Sequence, residues 1–539
     1  MKRILTTMII AFAVLTTTTV SAQSDPKAKG LESITDDLVM AQLNFLASDW
    51  TEGREAVSKG AFLAADYIAS VFQMTGLAPA GDMLPNGTRS YFQRVPFIRT
   101  NPGDMQSLSV ITNAGTTNLT KKYAQNTDYV VQSAGDVSKN IMAPLVFIGY
   151  GLIDDANGYD ELKGIDVKGK VVVRLSGYPG HHDASSAAYE KFKPQTPAIR
   201  TTRAVVDPRV TAANRMLAEK GALAIITVTL DKLALSAQFA TNTTFYPNQR
   251  ITPTSYGRVS LYSSTPDDTP LSITVSPRLG ADMLAPSVSI EEFEKNAAKN
   301  MKPQSSQLQG KNIDIVSTVK SELVLGVNVL AMIEGKNKNK SIVIGGHYDH
   351  MGTNGAQIWN GADDDASGTV AAMSMGRAFI ASGEQPACNM IFAAWTAEEK
   401  GLFGSRYFVE NHPNIEEIVM NMNFDMIARD DEEDTNKNLV EYTYTDTYPQ
   451  WLEFSKANIK NYNLPIGLRE DPRPIGFTIG TDFAPFSTAG RPFVSWFTGY
   501  HPDYHQYTDK LNLVNWQKCI NIIRLGYLIT WDIQKSVTE

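Results

Sequence analysis

The amino-acid sequence predicts an α/β fold in which a mostly parallel central sheet is flanked by helices and carries an inserted β-rich domain. From about residue 318 onward, apolar runs of strand length alternate with runs of helical spacing, which is typical of a parallel sheet covered on both faces. Between about residues 127 and 285 the apolar runs are short and β-rich. The 539 residues also exceed what one core usually supports, so at least two domains are expected.

The predicted elements can be placed along the chain. Two helices are expected between residues 34 and 75, joined by a polar loop at 48–55 that either connects them or lies near a site. The strands predicted for the main sheet are residues 329–333, 341–344, 389–395, 418–424 and 492–497. The helices predicted beside them are residues 366–380, 402–411, 448–458 and 515–532. The predicted domains are a signal peptide at 1–22, a main domain formed by 23–126 and 286–539, and an inserted domain at 127–285.

The first residues predict an exported protein. Lys2 and Arg3 precede an apolar, Thr-rich stretch, and small residues end at Ala22 before Gln23, which is typical of a secretory signal peptide. A periplasmic or secreted location is expected, and no later run of about 18 apolar residues predicts a membrane span. The formal net charge of −8 argues against nucleic acid as a partner. Cys388 and Cys519 lie at apolar positions and are expected to be buried, unpaired thiols.

Five potential metal ligands occur at or after the predicted strand ends or in the loops that follow them. They are His347, Asp363, Glu399, Asp425 and His505. Open α/β sheets place their sites at the carboxyl ends of the strands, so these side chains should converge. Two imidazoles and three carboxylates can hold two divalent cations if one carboxylate bridges, which predicts a two-metal hydrolytic site.

The bridging position is assigned to Asp363. It begins an acidic triplet that opens a helix, and capping of that helix by Asp364 or Asp365 explains part of the triplet. The small residues around the triplet leave space for a cation, which favours a bridge. Asp349, two residues after His347, is expected to hold the second imidazole nitrogen.

Two adjacent glutamates suggest a division of roles. The side chains of Glu398 and Glu399 must diverge, so one can bind a metal while the other faces the water between the metals as general base. His350 and His501 are rival histidines and are ranked second. The pair His181 and His182 lies in a loop rich in Gly, Pro and Ser with no carboxylate pattern nearby, so it is given no role.

Taken in order, these motifs resemble the zinc aminopeptidases of the M28 peptidase family. They are His-x-Asp, Gly-Ala-Asp-Asp-x-Ala-Ser-Gly, Glu-Glu-x-Gly-x-x-Gly-Ser, Asn-x-Asp-Met and Pro-Asp-Tyr-His, between about residues 328 and 509. The resemblance implies a zinc-exopeptidase fold with two Zn²⁺ ions, Co²⁺ and Mn²⁺ being alternatives. It makes Asp363 the shared ligand, with a cis peptide bond between Asp363 and Asp364. The inserted segment resembles a protease-associated domain.

The resemblance also implies a role for each site residue. His347 and Asp425 would complete one zinc site, Glu399 and His505 the other, and Glu398 would act as general base and acid. The expected substrates are peptides with a free N-terminus. The sequence departs from the family pattern at two positions near the site. Phe483 stands where a histidine is frequent, and Ala428 stands where a glycine is frequent.

Three alternatives stay open. A carboxypeptidase like the glutamate-releasing members would capture a terminal carboxylate with a basic residue, for which Arg406, Arg429, Arg473 and Arg491 are available. A glutaminyl-cyclase-like acyl transferase would use one zinc. A non-catalytic binding protein on the same scaffold would have lost metal ligands.

Overall fold

A computed structural model describes residues 25–125, 127–133, 135–194, 207–230, 245–246, 249–250, 258–264, 267 and 269–537. The predicted signal peptide, residues 1–22, lies outside these ranges. Sixteen of the described strands form one continuous, mixed sheet, most of whose pairings in the main domain are parallel. The predicted α/β class is confirmed. None of the described helices has the length and apolarity needed to span a membrane.

The elements have the following bounds. The described helices are α1 (Pro26–Glu32), α2 (Asp36–Leu46), α3 (Lys59–Thr75), α4 (Ala187–Phe192), α5 (Pro208–Glu219), α6 (Pro277–Leu284), α7 (Ile290–Asn300), α8 (Gly368–Ser382), α9 (Phe403–Asn411), α10 (Gln450–Asn461), α11 (Phe483–Thr488) and α12 (Trp516–Ser536). The first eleven strands are β1 (Ala78–Pro79), β2 (Phe92–Ala114), β3 (Thr117–Tyr123), β4 (Tyr129–Ser133), β5 (Lys139–Phe147), β6 (Ile153–Asp154), β7 (Tyr159–Asp160), β8 (Val171–Leu175), β9 (Ala224–Val228), β10 (Phe245–Tyr246) and β11 (Gln249–Arg250). The remaining strands are β12 (Arg258–Leu261), β13 (Leu271–Val275), β14 (Ser306–Ile333), β15 (Asn337–His347), β16 (Gly352–Asn354), β17 (Gln357–Trp359), β18 (Cys388–Trp395), β19 (Ile418–Phe424), β20 (Leu439–Thr445), β21 (Gly467–Arg473) and β22 (Phe493–Phe497).

The main domain is built on the strand order β21-β20-β22-β19-β15-β18-β14. Strand β15 pairs in parallel with both β18 and β19, and β19 pairs in parallel with β22. All eight residues of β18 are buried, because helices cover both faces of the sheet. Phe392 faces the core shared with α3, α8 and α12, whereas its neighbour Ile391 packs with residues of α9 and α11 on the other face. The carboxyl ends of the four parallel strands therefore share one edge of the sheet.

Two very long strands connect the main domain to the inserted domain. Strands β2 and β14, of 23 and 28 residues, pair antiparallel from one domain into the other. The C-terminal part of β2 and the N-terminal part of β14 belong to a second core, in which β5, β8, β9 and β13 run parallel. This core extends from Leu108 to Ile315, beyond the predicted limits of 127 and 285. The predicted boundaries thus fall within one structural unit, and its identification as a protease-associated domain stays a prediction.

The two cysteines are both buried. Cys388 begins β18, Cys519 lies in α12, and each is a free thiol with no exposed surface. The expectation of buried, unpaired thiols is confirmed. Burial raises the pKa of the Cys388 thiol to about 11, so that it stays protonated and packs as an apolar group.

Candidate metal centre

Acidic and imidazole side chains meet at the carboxyl edge of the main sheet. His347 is the last residue of β15, Glu398 and Glu399 follow β18, and Asp425 follows β19. His505 lies in the loop after β22. Because these four strands are parallel neighbours, the four segments meet at one place, as their positions in the sequence predict.

The carboxylate at the centre of the group belongs to Asp364. Its Oδ1 lies 3.3 Å from His347 Nε2, and its Oδ2 lies 3.2 Å from His505 Nε2. On the first side, Asp425 Oδ1 is 3.7 Å from His347 Nε2. On the second side, Glu399 Oε2 is 3.1 Å from His505 Nε2. Each half of the group therefore offers one imidazole and one carboxylate, and the two halves share the carboxylate of Asp364.

Asp363, to which the bridge was assigned, has a different set of contacts. Its Oδ1 accepts a hydrogen bond of 2.6 Å from the main-chain N–H of Ala428, and its Oδ2 lies 3.2 Å from His501 Nε2. The structure therefore does not bring Asp363 between His347 and His505. The cis peptide bond is likewise one residue further along, between Asp364 and Asp365.

The local backbone explains why the three aspartates differ. Residues Ala362–Ser367 form an irregular turn in which Asp364 has extended dihedral angles, φ −102° and ψ 100°. Asp365 Oδ1 accepts hydrogen bonds from the main-chain N–H groups of Gly368 and Met426. Its Oδ2 accepts a hydrogen bond from the main-chain N–H of His347. Asp365 thus caps the start of α8 and joins it to the ends of β15 and β19, as the capping interpretation of the triplet predicted.

Asp349 holds His347, mainly through its main chain. His347 Nδ1 lies 3.0 Å from the carbonyl oxygen of Asp349 and 3.8 Å from its Oδ1. The Nδ1–H donates to the carbonyl, which leaves Nε2 facing Asp364 with its lone pair. The Asp349 carboxylate instead accepts a 3.0 Å hydrogen bond from the main-chain N–H of Glu398. It therefore positions both His347 and the predicted general base.

Two residues near the group were missed or ranked low from sequence. His350 Nδ1 lies 2.9 Å from Glu399 Oε1 and 3.9 Å from Asp364 Oδ2, so a third imidazole stands on the Glu399 side. The guanidinium of Arg54 is fully buried and donates to the carbonyls of Tyr348, Asn360 and Gly361. It ties together the loops that carry His347 and Asp364. The polar loop at 48–55 was the available signal, but nothing in the sequence paired it with distant carbonyl groups.

Electrostatics within the group favour positive charge between the carboxylates. Burial lowers the pKa of His505, yet Glu399 and Asp364 raise it to about 10. Burial opposes ionisation of Asp364 and Glu399, but the facing histidines hold the pKa of both carboxyls below their usual values. Burial raises the pKa of Glu398 well above its usual value, although His347 nearby opposes this shift.

The same group of side chains fits a bound divalent cation. Asp364 Oδ2, His505 Nε2 and His350 Nε2 are buried and make no hydrogen bond of ordinary geometry within the described residues. Leaving such atoms unsatisfied costs free energy that a bound cation would recover. Imidazole nitrogens and carboxylate oxygens are the donors that zinc and similar ions take in catalytic sites.

Aromatic side chains pack beside the group. Phe483, at the position where a histidine is frequent, is buried and stacks on Phe493 with ring centroids 4.4 Å apart. Tyr504 stacks on His505 at 3.8 Å and supports the ring. Asp482 is buried beside this layer, where its Oδ1 accepts a hydrogen bond from the Ser405 hydroxyl, and burial raises its pKa to about 7.

Comparison with known proteins supports the assignment of the main domain. Residues 328–527 match the sequence profile described as Peptidase family M28. Among curated proteins, the chain is 32% identical over 186 residues to leupeptin-inactivating enzyme 1 of Streptomyces exfoliatus. The aligned segment covers 34% of this chain and 38% of that protein. It is 33% identical over 119 residues to a probable leucine aminopeptidase 2 of Aspergillus oryzae, covering 22% and 23% of the two chains. These matches span less than half of each relative.

Solved structures share the fold over nearly the whole chain. The aminopeptidase from Aneurinibacillus sp. strain AM-1 is 16% identical, with a TM-score of 0.55 over 94% of this chain and 95% of that one. A zinc aminopeptidase from Bacillus subtilis is 14% identical, with a TM-score of 0.50 over 93% and 95%. Identities this low establish the fold alone. The profile match, by contrast, confirms over residues 328–527 the resemblance to peptidase family M28 drawn from the motifs.

Proposed function

We propose that the protein is an exported metallo-aminopeptidase that uses two zinc ions to remove N-terminal residues from peptides. The observation that carries this proposal is the carboxylate of Asp364, which faces His347 on one side and His505 on the other. The names of relatives, leucine aminopeptidase and zinc aminopeptidase, support the same activity. The predicted signal peptide supports export.

The ligands divide into two sets that share one residue. His347 and Asp425 would hold one ion, Glu399 and His505 the other, and Asp364 would contact both. When bound, two zinc ions lower the pKa of a water molecule and polarise the carbonyl of the scissile peptide bond. His350 lies beside Glu399 and would hold that carboxylate in place.

Glu398 is the residue placed to move protons. Its Oε2 lies 3.8 Å from His347 Nε2, and its main-chain N–H is fixed by Asp349 Oδ1. Within the described residues its carboxylate is not committed to a cation such as lysine or arginine, so it can accept the proton of the attacking water. The same carboxyl then donates the proton to the leaving amine.

Charge favours the amino end of a peptide over the carboxyl end. The site is lined by buried carboxylates, which attract an α-ammonium and repel a terminal carboxylate. Three of the arginines considered for a carboxypeptidase are already paired: Arg429 with Asp503, Arg473 with Asp471, and Arg491 with Glu416. The carboxypeptidase alternative therefore has few available cations.

Paired peptides test the proposal. One peptide carries a free N-terminus and its partner an acetylated one, and the purified protein is assayed with and without a metal chelator. We expect release of the first residue from the free peptide only, with loss of the activity on chelation. Cleavage of both peptides at the carboxyl end would indicate a carboxypeptidase. Cyclisation of an N-terminal glutamine, or bound metal without any reaction, would favour the cyclase or the binding protein.

A further inference from the structure

A second group of metal-binding side chains lies in the inserted domain. His181 and His182 are in the loop between β8 and α4, and the structure brings Glu294 of α7 against them. No local sequence pattern points to this carboxylate, because it is far away along the chain. The sequence interpretation, which gave the two histidines no role because no carboxylate pattern lies near them, did not include this contact.

The distances suit a small divalent cation. Glu294 Oε1 lies 3.4 Å from His182 Nε2 and 4.0 Å from His181 Nε2. The two imidazole rings are adjacent, with centroids 3.8 Å apart. Donors around a tetrahedral ion with bonds of about 2.05 Å lie about 3.3 Å from each other. Small side-chain rotations would therefore bring all three donors onto one ion.

The histidine on the inner side is already oriented. His181 Nδ1 lies 2.8 Å from the carbonyl oxygen of Tyr178, and donation of its hydrogen there leaves Nε2 available as a ligand. Tyr150 packs against the ring in an edge-to-face arrangement, with ring centroids 5.7 Å apart. Gly177, with φ +96°, makes space for it, because a Cβ at this position would come within 2.7 Å of the imidazole.

One carboxylate oxygen of Glu294 has no hydrogen-bond partner among the described residues. This atom is Oε1, and it is buried. A buried carboxylate oxygen without a hydrogen bond costs free energy unless a cation lies nearby. The Nε2 atoms of the two imidazoles lie 3.4 Å and 4.0 Å from this oxygen, so a cation bound between the three side chains would satisfy it.

We propose that His181, His182 and Glu294 form a separate metal site that takes Zn²⁺ or a borderline ion of similar chemistry, such as Co²⁺. Two imidazoles disfavour Ca²⁺ and Mg²⁺, which prefer oxygen ligands. His182 is 60% exposed, so water completes the coordination. The site ties the loop after β8 to α7 within the second core. It is independent of the proposed peptidase function.

Metal counting tests this site in the full chain. The protein is stripped with a chelator and dialysed against Zn²⁺, and zinc per chain is measured for the wild type and for Glu294→Gln and His182→Asn. His182→Asn changes an exposed side chain and should fold normally. Glu291→Gln is the matched control, because Glu291 lies on the same helix and is 78% exposed. We expect the wild type and the control to bind one more zinc than either site variant.

The absorption spectrum of the cobalt-loaded protein provides a second measurement of the same site. Subtracting the absorption spectrum of cobalt-loaded Glu294→Gln from that of the wild type should leave bands of one cobalt ion with nitrogen and oxygen ligands. Equal zinc counts in all four proteins would overturn the proposal and leave an ion pair between Glu294 and His182. The measurement is a difference between variants, so it holds whether the site at the sheet edge binds two ions, one or none.

Discussion

Replacing Glu398 with glutamine is expected to lower kcat for peptide hydrolysis by a factor of about 10²–10⁴, the usual contribution of a general acid and base. Glutamine keeps the size of the side chain but cannot accept the proton of the attacking water. Because Glu398 is assigned no role as a ligand, the zinc content should not change. Steady-state kinetics on a free peptide and zinc counting on the same sample measure the two effects.

The neighbouring residue provides the matched control for this prediction. Glu399→Gln removes a carboxylate that faces His505 at 3.1 Å, so this variant should lose zinc as well as activity. A Glu398→Gln protein that also lost zinc, or one that kept its full kcat, would contradict the assignment of Glu398 as general base.

Asp364→Asn should remove metal from both halves of the site. A bridging carboxylate needs two oxygen donors, and asparagine keeps only one. Variants of groups that merely orient a ligand weaken metal binding by about 10- to 100-fold, so loss of the shared ligand should exceed about 100-fold. Equilibrium dialysis against zinc over a range of concentrations measures the apparent Kd of the variant.

Asp363→Asn separates this account from the one that the sequence suggested. Asparagine can still accept the hydrogen bond from Ala428 through its Oδ1, so this variant should fold and retain its zinc. If Asp363→Asn lost both ions and Asp364→Asn kept them, the bridge would belong to Asp363 after all.

Much of the main domain could be predicted from the sequence. Strand β19 was predicted at residues 418–424 and has those bounds, because a buried parallel strand must be a short, mostly apolar run. The same logic locates strand ends, and strand ends locate His347, Glu399 and Asp425. Convergence of these residues follows from parallel pairing, which the alternation of strands and helices predicts.

Which aspartate of the triplet lies between His347 and His505 could not be predicted from the sequence. Asp363, Asp364 and Asp365 are chemically identical, and their directions are set by an irregular turn. That turn is held by Asp509, which accepts hydrogen bonds from the main-chain N–H groups of Asp363 and Asp364. A contact between segments so distant along the chain leaves no local pattern.

The domain boundaries were hidden for a related reason. Strands β2 and β14 run without interruption from one core into the other, so no change in composition marks the crossing. The contact of His182 with Glu294 is also formed only in the folded inserted domain. Both features depend on long-range pairing, which periodicity along the sequence does not report.

Anomalous diffraction from a zinc-loaded crystal, with data collected on both sides of the zinc absorption edge, tests the proposed two-metal site most directly. At the edge of the main sheet we expect two peaks about 3.5–4 Å apart, one on each side of the Asp364 carboxylate. One peak should lie beside His347 and Asp425, and the other beside His505 and Glu399. A single peak there, or a pair flanking Asp363, would contradict the account.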